Sequence, residues 1–302
     1  ADGPSGFLWN PAGSARPSVQ NWQVAFGYDQ LFFDESKLNY FSGLYPHRKW
    51  GTFGLAFVSF SNDGFEGRDI YNQPTGDFSV KQGLLGLSYG KYWGNYYFIK
   101  NLAMGLFIKS LSNKVADDNY SAMDMDFGLK WKISYLKKAG FGFAYQNLLK
   151  SKVNEDEMVS AMILGMNYLV MKDVTALFDV YLPSAGESDI RLGVEYKNTM
   201  ISKDYPIYLR AGFSKNEIAL GASIRFYLPS SYSTQIDYAY TNQSEIEYSS
   251  SKFGLSLFGA SEPCDQKIFF ILGDTSAVYT ASYNQFMKER VERKEDDLEA
   301  IT

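Results

Sequence analysis

Cysteine is almost absent from this chain. Cys264 is the only one, which rules out an intrachain disulfide and a cysteine-rich metal site. Histidine is equally scarce: His47 stands alone, beside Arg48 and Lys49, so a Ser-His-Asp triad or a histidine metal cluster has no material. No cofactor, metal site or enzymatic activity is expected, and Asp117-Asp118 reads as a polar loop rather than a calcium site. A basic excess is missing too. The net charge is -5 and the pI about 5.1, which gives no footprint for nucleic acid. Long apolar runs are also lacking, the stretch Ile268-Phe269-Phe270-Ile271-Leu272 falling far short of the ~18 residues a spanning helix needs.

What the chain does have is alternation. Ile190, Leu192, Val194 and Tyr196 form one row, with Asp189, Arg191, Gly193, Glu195 and Lys197 between them. The pattern restarts with Ile207, Leu209, Ala211 and Phe213, and again with Ile218, Leu220, Ala222, Ile224 and Phe226. A period of two means β-strand. In a soluble sandwich the apolar row faces the core, whereas in a membrane barrel it faces lipid around a polar lumen. The polar row mixes Gly, Ala and Ser with Arg191, Glu195, Arg210 and Arg225, which suits a crowded, charge-balanced interior. Aromatics make up 17% of the chain, with 23 Tyr and 23 Phe, as expected where girdles mark two membrane interfaces.

Strand candidates cover residues 19–30, 38–45, 53–61, 78–92, 101–115, 121–132, 141–148, 158–169, 174–182, 188–197, 207–214, 217–226, 232–241 and 251–259. These are about fourteen strands of roughly ten residues, an even number as outer-membrane barrels have. The fold class is therefore an all-β transmembrane antiparallel β-barrel. Residues 1–18 form an N-terminal hatch or plug segment, 19–259 the barrel, and 260–302 a C-terminal extension. With both termini periplasmic, the longer connections at 33–37, 62–77, 151–157 and 242–250 face outward. They are short enough to predict a low outer surface. In the extension, Tyr279, Tyr283, Phe286 and Met287 recur at helical spacing beside a stretch dense in both charges, which reads as a solvated helix or as a docking helix for a periplasmic partner.

In the hatch, Phe7, Leu8 and Trp9 are too apolar to dangle in water, and Asn10-Pro11 fixes a turn. The inward row also supplies Asp124, Asp126, Lys130, Asp179, Asp189, Arg191, Glu195, Arg210, Arg225 and Asp237. Two readings stand: adjacent strands pair these charges to close the lumen, because buried charges need partners, or the network grips the hatch and releases it when a ligand arrives.

The run Trp9-Asn10-Pro11-Ala12-Gly13 resembles the hatch signature of the FadL fatty-acid channels and the related PorV/PorQ family. Later stretches resemble the C-terminal half of the PorV/PorQ pattern: Gly193-Val194-Glu195-Tyr196, Tyr208-Leu209-Arg210-Ala211-Gly212-Phe213, Gln235-Ile236-Asp237-Tyr238-Ala239-Tyr240 and Phe253-Gly254-Leu255-Ser256-Leu257. The resemblance implies a fourteen-stranded barrel in the outer membrane of a Gram-negative-type cell, surrounded by lipid and occluded by its N-terminal segment through residues Phe7 to Gly13. Two functions follow from it. One is a passive conduit for hydrophobic, fatty-acid-like small molecules. The other is a non-conducting partner barrel that docks in an outer-membrane secretion or assembly complex and binds proteins through its tail. The chain departs from the family in starting inside the hatch pattern, in its shorter outer loops and in its extra tail.

Overall fold

Strict alternation of apolar and small polar residues leaves each segment one way to satisfy its backbone in lipid, which is pairing on both edges with no edge left open. A computed structural model shows that arrangement. It describes residues 4–15, 21–31, 36–47, 49–68, 71, 73–115, 118–153, 156–198, 205–215, 217–227, 232–243 and 248–259. The chain divides into two units, Ala1–Ser261 and Glu262–Thr302, and every described residue belongs to the first. Tyr279, Tyr283, Phe286 and Met287, with the helix expected there, lie outside the described residues.

The strands are β1 (Gln23–Leu31), β2 (Ser36–His47), β3 (Gly51–Arg68), β4 (Pro74–Tyr96), β5 (Ile99–Val115), β6 (Asp118–Ile133) and β7 (Ala139–Gln146). A two-stranded ribbon follows, β8 (Lys152–Val153) with β9 (Asp156–Glu157). The series continues through β10 (Ala161–Met171), β11 (Val174–Pro183), β12 (Asp189–Asn198), β13 (Ile207–Phe213), β14 (Glu217–Tyr227), β15 (Ser233–Gln243) and β16 (Tyr248–Phe258). Without the ribbon, the strands close into one antiparallel barrel of fourteen, each next to its sequence neighbour, with β1 pairing β16 to complete the circle. All fourteen expected strands are present. Among the described residues there is no α-helix.

The orientation of the rows is settled by exposure. Met123, Leu192 and Leu220 are 63%, 53% and 55% exposed on the outer wall, while Ala25, Ser42, Ala56, Asp124 and Ser223 on the alternate row are buried. An apolar exterior around a polar axis is the reverse of a soluble sandwich, and it places the barrel in a bilayer. At the end where β1 begins, called here the near end, exposed Trp22, Tyr45, Trp50, Trp93 and Tyr135 ring the wall. Such rings sit at the headgroup level.

Two expectations about the loops are corrected. Residues 62–77 are not a plain loop, because β3 runs on to Arg68 and β4 starts at Pro74. The far end is also not low on every side: β3 to β6 have 18, 23, 17 and 16 residues, against the roughly 9–11 that cross a membrane. The physical reason is that a ladder can continue beyond lipid once side chains on both faces are polar, as at Ser59, Ser61, Asn62, Asn113 and Lys114.

Candidate functional site

The lumen is the candidate site, and the N-terminal segment occupies part of it. Residues 5–15 fold into two 3-10 turns, Gly6–Leu8 and Pro11–Gly13. The second is set by Asn10, whose Oδ1 accepts from the Ala12 amide at 3.0 Å, with proline at the first turn position. Proline suits that place because its missing N–H is an orphan there anyway. Asn10 also donates from Nδ2 to the carbonyls of Leu129 (3.3 Å) and Phe143 (3.1 Å), on β6 and β7. Ser14 Oγ lies 2.8 Å from the Pro11 carbonyl and 3.3 Å from Ser88 Oγ on β4.

Glycines in the wall make this fit possible. A Cβ on Gly105 would run into the backbone of Pro11 and Ala12, one on Gly128 into Asn10 and the Ala12 amide, and one on Gly90 into Ser14 and Ala15. The segment therefore lies against the bare backbone of β4, β5 and β6. Phe7 is fully buried and packs with Leu44, Ala56 and Phe107, its ring centroid 5.5 Å from that of Phe107. Burial of such a side chain stabilises by about 1.5–3 kcal/mol. Leu8 packs at the edge of this cluster. Trp9 behaves otherwise: it is exposed, and its backbone carbonyl accepts from Gln146 Nε2 at 3.3 Å.

Beyond the inward Lys109, the wall on the far side of Phe7 carries an apolar patch. One register step above Ala56, Val58 of β3 pairs Leu84 of β4, and Leu84 pairs Leu111 of β5. All three are half-buried, and Leu84 touches the Phe7 cluster. Tyr40 completes this row on β2. Its ring lies across Gly27, where a Cβ would collide with it, and its hydroxyl reaches toward Gly254. On the outside of the same stretch of wall is a groove of about 490 Å³ bordered by Phe26, Phe41, Phe57, Phe253 and Leu255.

The charged residues named from sequence fall into separate groups rather than one network. Asp126 pairs with Lys109 at 2.7 and 2.8 Å and accepts from the Asn147 amide at 2.8 Å. Asp124 accepts from the amides of Leu149 and Ser151 at 3.0 Å each. Both carboxylates are buried, and together they fasten the connection after β7 to β6. Lys130, on the same row, is half-buried and also engaged. Asp179 covers Gly165 on the neighbouring strand.

A second group lies on β12 to β15. Arg210 pairs with Glu195 at 2.6 Å and approaches Asp237 at 3.7 Å. Ser223 Oγ accepts from Arg210 and donates to Asp237. Arg225 donates to Gln235 Oε1 at 2.7 and 3.0 Å, and Gln235 in turn donates to Asp237 at 2.7 Å. Arg191 pairs with Asp189 at 2.8 Å and lies over the Tyr181 ring. The hydrogen bonds described for residues 5–15 go to backbone carbonyls, Ser88 and Gln146, not to these charges. Sequence reasoning missed Lys109, Ser88, Tyr40 and Ser223, and it missed the wall glycines. The last had a signal, since small residues recur at every second place around Gly86-Leu87-Ser88-Tyr89-Gly90.

The sequence matches no protein-family model and no curated protein. The fold is similar to solved structures of low sequence identity. The toluene transporter TodX of Pseudomonas putida has a TM-score of 0.55 at 9% identity, over 84% of this chain and 92% of that one. The toluene transporter TbuX of Ralstonia pickettii has a TM-score of 0.54 at 10% identity, over 85% and 94%. The monoaromatic hydrocarbon channel CymD gives 0.52 at 11%, over 85% and 92%. At these identities the likeness is one of fold.

Proposed function

We propose that this chain is a FadL-like outer-membrane barrel for passive passage of hydrophobic small molecules, plugged by residues 5–15. One observation carries the reading: in a largely polar lumen, Phe7 forms the floor of an apolar row made by Val58, Leu84 and Leu111. A hydrophobic solute that has passed Gln82 and Asn113 from the far end meets this apolar patch just above the plug. Displacing Phe7 to Pro11 extends that route to the barrel wall. The fold shared with toluene transporters and a monoaromatic hydrocarbon channel supports the same cargo class, and the FadL-like hatch pattern supports long-chain acids as an alternative. Periplasmic termini fit a plug inserted from the near end, where β1 begins.

The test is uptake of radiolabelled toluene and oleate by a Gram-negative strain lacking its own hydrocarbon channels, with and without this chain. Faster uptake of either supports the proposal. Uptake equal to the empty-vector control overturns it.

A second reading, a PorV/PorQ-like partner barrel in a secretion or assembly complex, is favoured by the near-end turn after β4. Tyr97 there is 96% exposed with φ 43°, and Phe98 and Tyr135 stand beside it in the open. Native purification followed by mass spectrometry separates the two: a stoichiometric protein partner supports docking, and an isolated barrel holding lipid or detergent supports passage.

A further inference from the structure

Among the described residues, 5–15 cover one side of the lumen. Residues 5–15 contact β4, β5 and β6 and, through Phe7 and Asn10, β2, β3 and β7. The opposite wall, from β12 through β16 to β1, is built differently. Its inward row runs through Asp189, Arg191, Glu195 and Lys197, then Tyr208 and Arg210, then Glu217, Ser223 and Arg225, then Gln235 and Asp237, and on to Lys252 and Asp29, with Gly and Ala between them. Large aliphatic side chains are missing from this row. The side chains of Arg191, Arg210, Glu195 and Asp237 are 39%, 38%, 33% and 31% exposed even though they point into the barrel and are ion-paired. Charges so exposed inside an enclosure are hydrated, because the desolvation cost of a dry lumen would be several kcal/mol per ion. They mark a water-filled lane that begins at Asp189 and Arg191 near the far end. It passes Arg210 and ends at Lys197 and Arg225 near the other.

The charges along the lane balance in number but are segregated along it, with Glu217 at the far end and Lys197 and Arg225 at the near end. Arg191 is matched by Asp189, Arg210 by Glu195 and Asp237, and Lys252 by Asp29 at 3.4 Å. Arg225 instead bonds the neutral Gln235 and lies 4.2 Å from the centre of the Phe258 ring, while Lys197 lies 5.7 Å over Tyr208. Neither makes an ion pair with a described carboxylate. Charge of one sign at each mouth raises the local concentration of its counter-ion there, anions at Lys197 and Arg225 and cations at Glu217.

We infer that the barrel has a second activity: it conducts water and small inorganic ions along this polar lane while the plug stays in place. The apolar row over Phe7 and the polar lane then serve different solutes on opposite walls, and only the first requires the plug to move.

Single-channel recording in planar bilayers, with potassium chloride as the probe, tests this on the full chain. A heat-dependent gel shift first establishes that the inserted protein is folded. A steady current without added ligand is expected, with a reversal potential near zero in a tenfold gradient. Lys197→Glu combined with Arg225→Glu should move that potential toward potassium. A disulfide between Ser14→Cys and Ser88→Cys, whose oxygens are 3.3 Å apart in the native chain, locks the plug in a Cys264→Ser background. The current should persist in the locked barrel, whereas hydrocarbon uptake should stop until the disulfide is reduced. Absence of current, loss of current on locking, or a selectivity unmoved by the charge reversals overturns the inference. The uptake assay stands or falls independently.

Discussion

The ring of Phe7 meets that of Phe107 edge-on, at 67° between planes and 5.5 Å between centroids, and both side chains are buried. Phe107 is the inward residue of a strand whose nearest inward neighbours are small or charged, Gly105 and Lys109. A phenylalanine turned toward a polar axis is explained by this partner. Without the segment its face would be wetted.

Phe7→Ala removes this contact and leaves a cavity, a change that costs about 3–5 kcal/mol in a packed site. The cost falls on the docked segment, since the fourteen-strand ladder does not pass through residue 7. Amide exchange in residues 6–14 should quicken by orders of magnitude while the thermal midpoint of the barrel stays put. A barrel that melts earlier with the segment still protected would contradict this.

Asn10 has two roles that separate by substitution. Asn10→Ala loses both donors to Leu129 and Phe143 and the cap on Ala12. Asn10→Asp keeps the cap but sets carboxylate oxygens against two carbonyls. Facing acceptors with no proton between them cost more than an absent bond. Protease protection of the segment should therefore be strongest in the native chain, weaker in the Asn10→Ala variant and weakest in the Asn10→Asp variant.

Gly128 and Gly142 face the same side chain at different clearances. A Cβ at 128 collides with Asn10 and lies 2.9 Å from the Ala12 amide, whereas one at 142 rests 3.5 Å from Asn10 Nδ2, an ordinary contact. Gly128→Ala should sharply lower the yield of the Ser14→Cys/Ser88→Cys disulfide, and Gly142→Ala should leave it unchanged.

Two ion pairs of the lumen, Lys109–Asp126 and Arg210–Glu195, differ in burial and should differ in energetic weight. Lys109→Met strands the buried Asp126, an uncompensated charge worth about 3–5 kcal/mol of destabilisation, and Lys109→Met with Asp126→Leu should recover most of it. Arg210→Ala breaks contacts that are a third exposed, where screening leaves about 1 kcal/mol or less. Heat-modifiability on gels should show a large drop for the first and a small one for the second.

The rows of β12 to β14 were legible because lipid and lumen impose opposite demands on adjacent residues, so Ile190 to Lys197 alternate without exception. Legibility fades where that contrast ends. Beyond Ser59 on β3 and Leu111 on β5 both faces meet water or loop, so the sequence turns largely polar while the ladder continues. Pairing across the barrel was also hidden. Lys109 lies between Ile108 and Ser110 with nothing local to mark Asp126 as its partner, since register across strands is a tertiary property. The segment from Phe7 to Gly13 stood out by composition, but that glycines on three separate strands face it could not be read from a single strand.

All of this depends on which way the rows face. Nitroxide labels placed one at a time from residue 189 to 198, in the chain reconstituted in lipid bilayers, test that directly by collision with oxygen and with a water-soluble nickel complex. Labels at 190, 192, 194 and 196 should relax with oxygen dissolved in the acyl chains, and those at 191, 193, 195 and 197 with nickel in the lumen. Accessibility to nickel at every position, or an alternation of the opposite phase, would contradict the account.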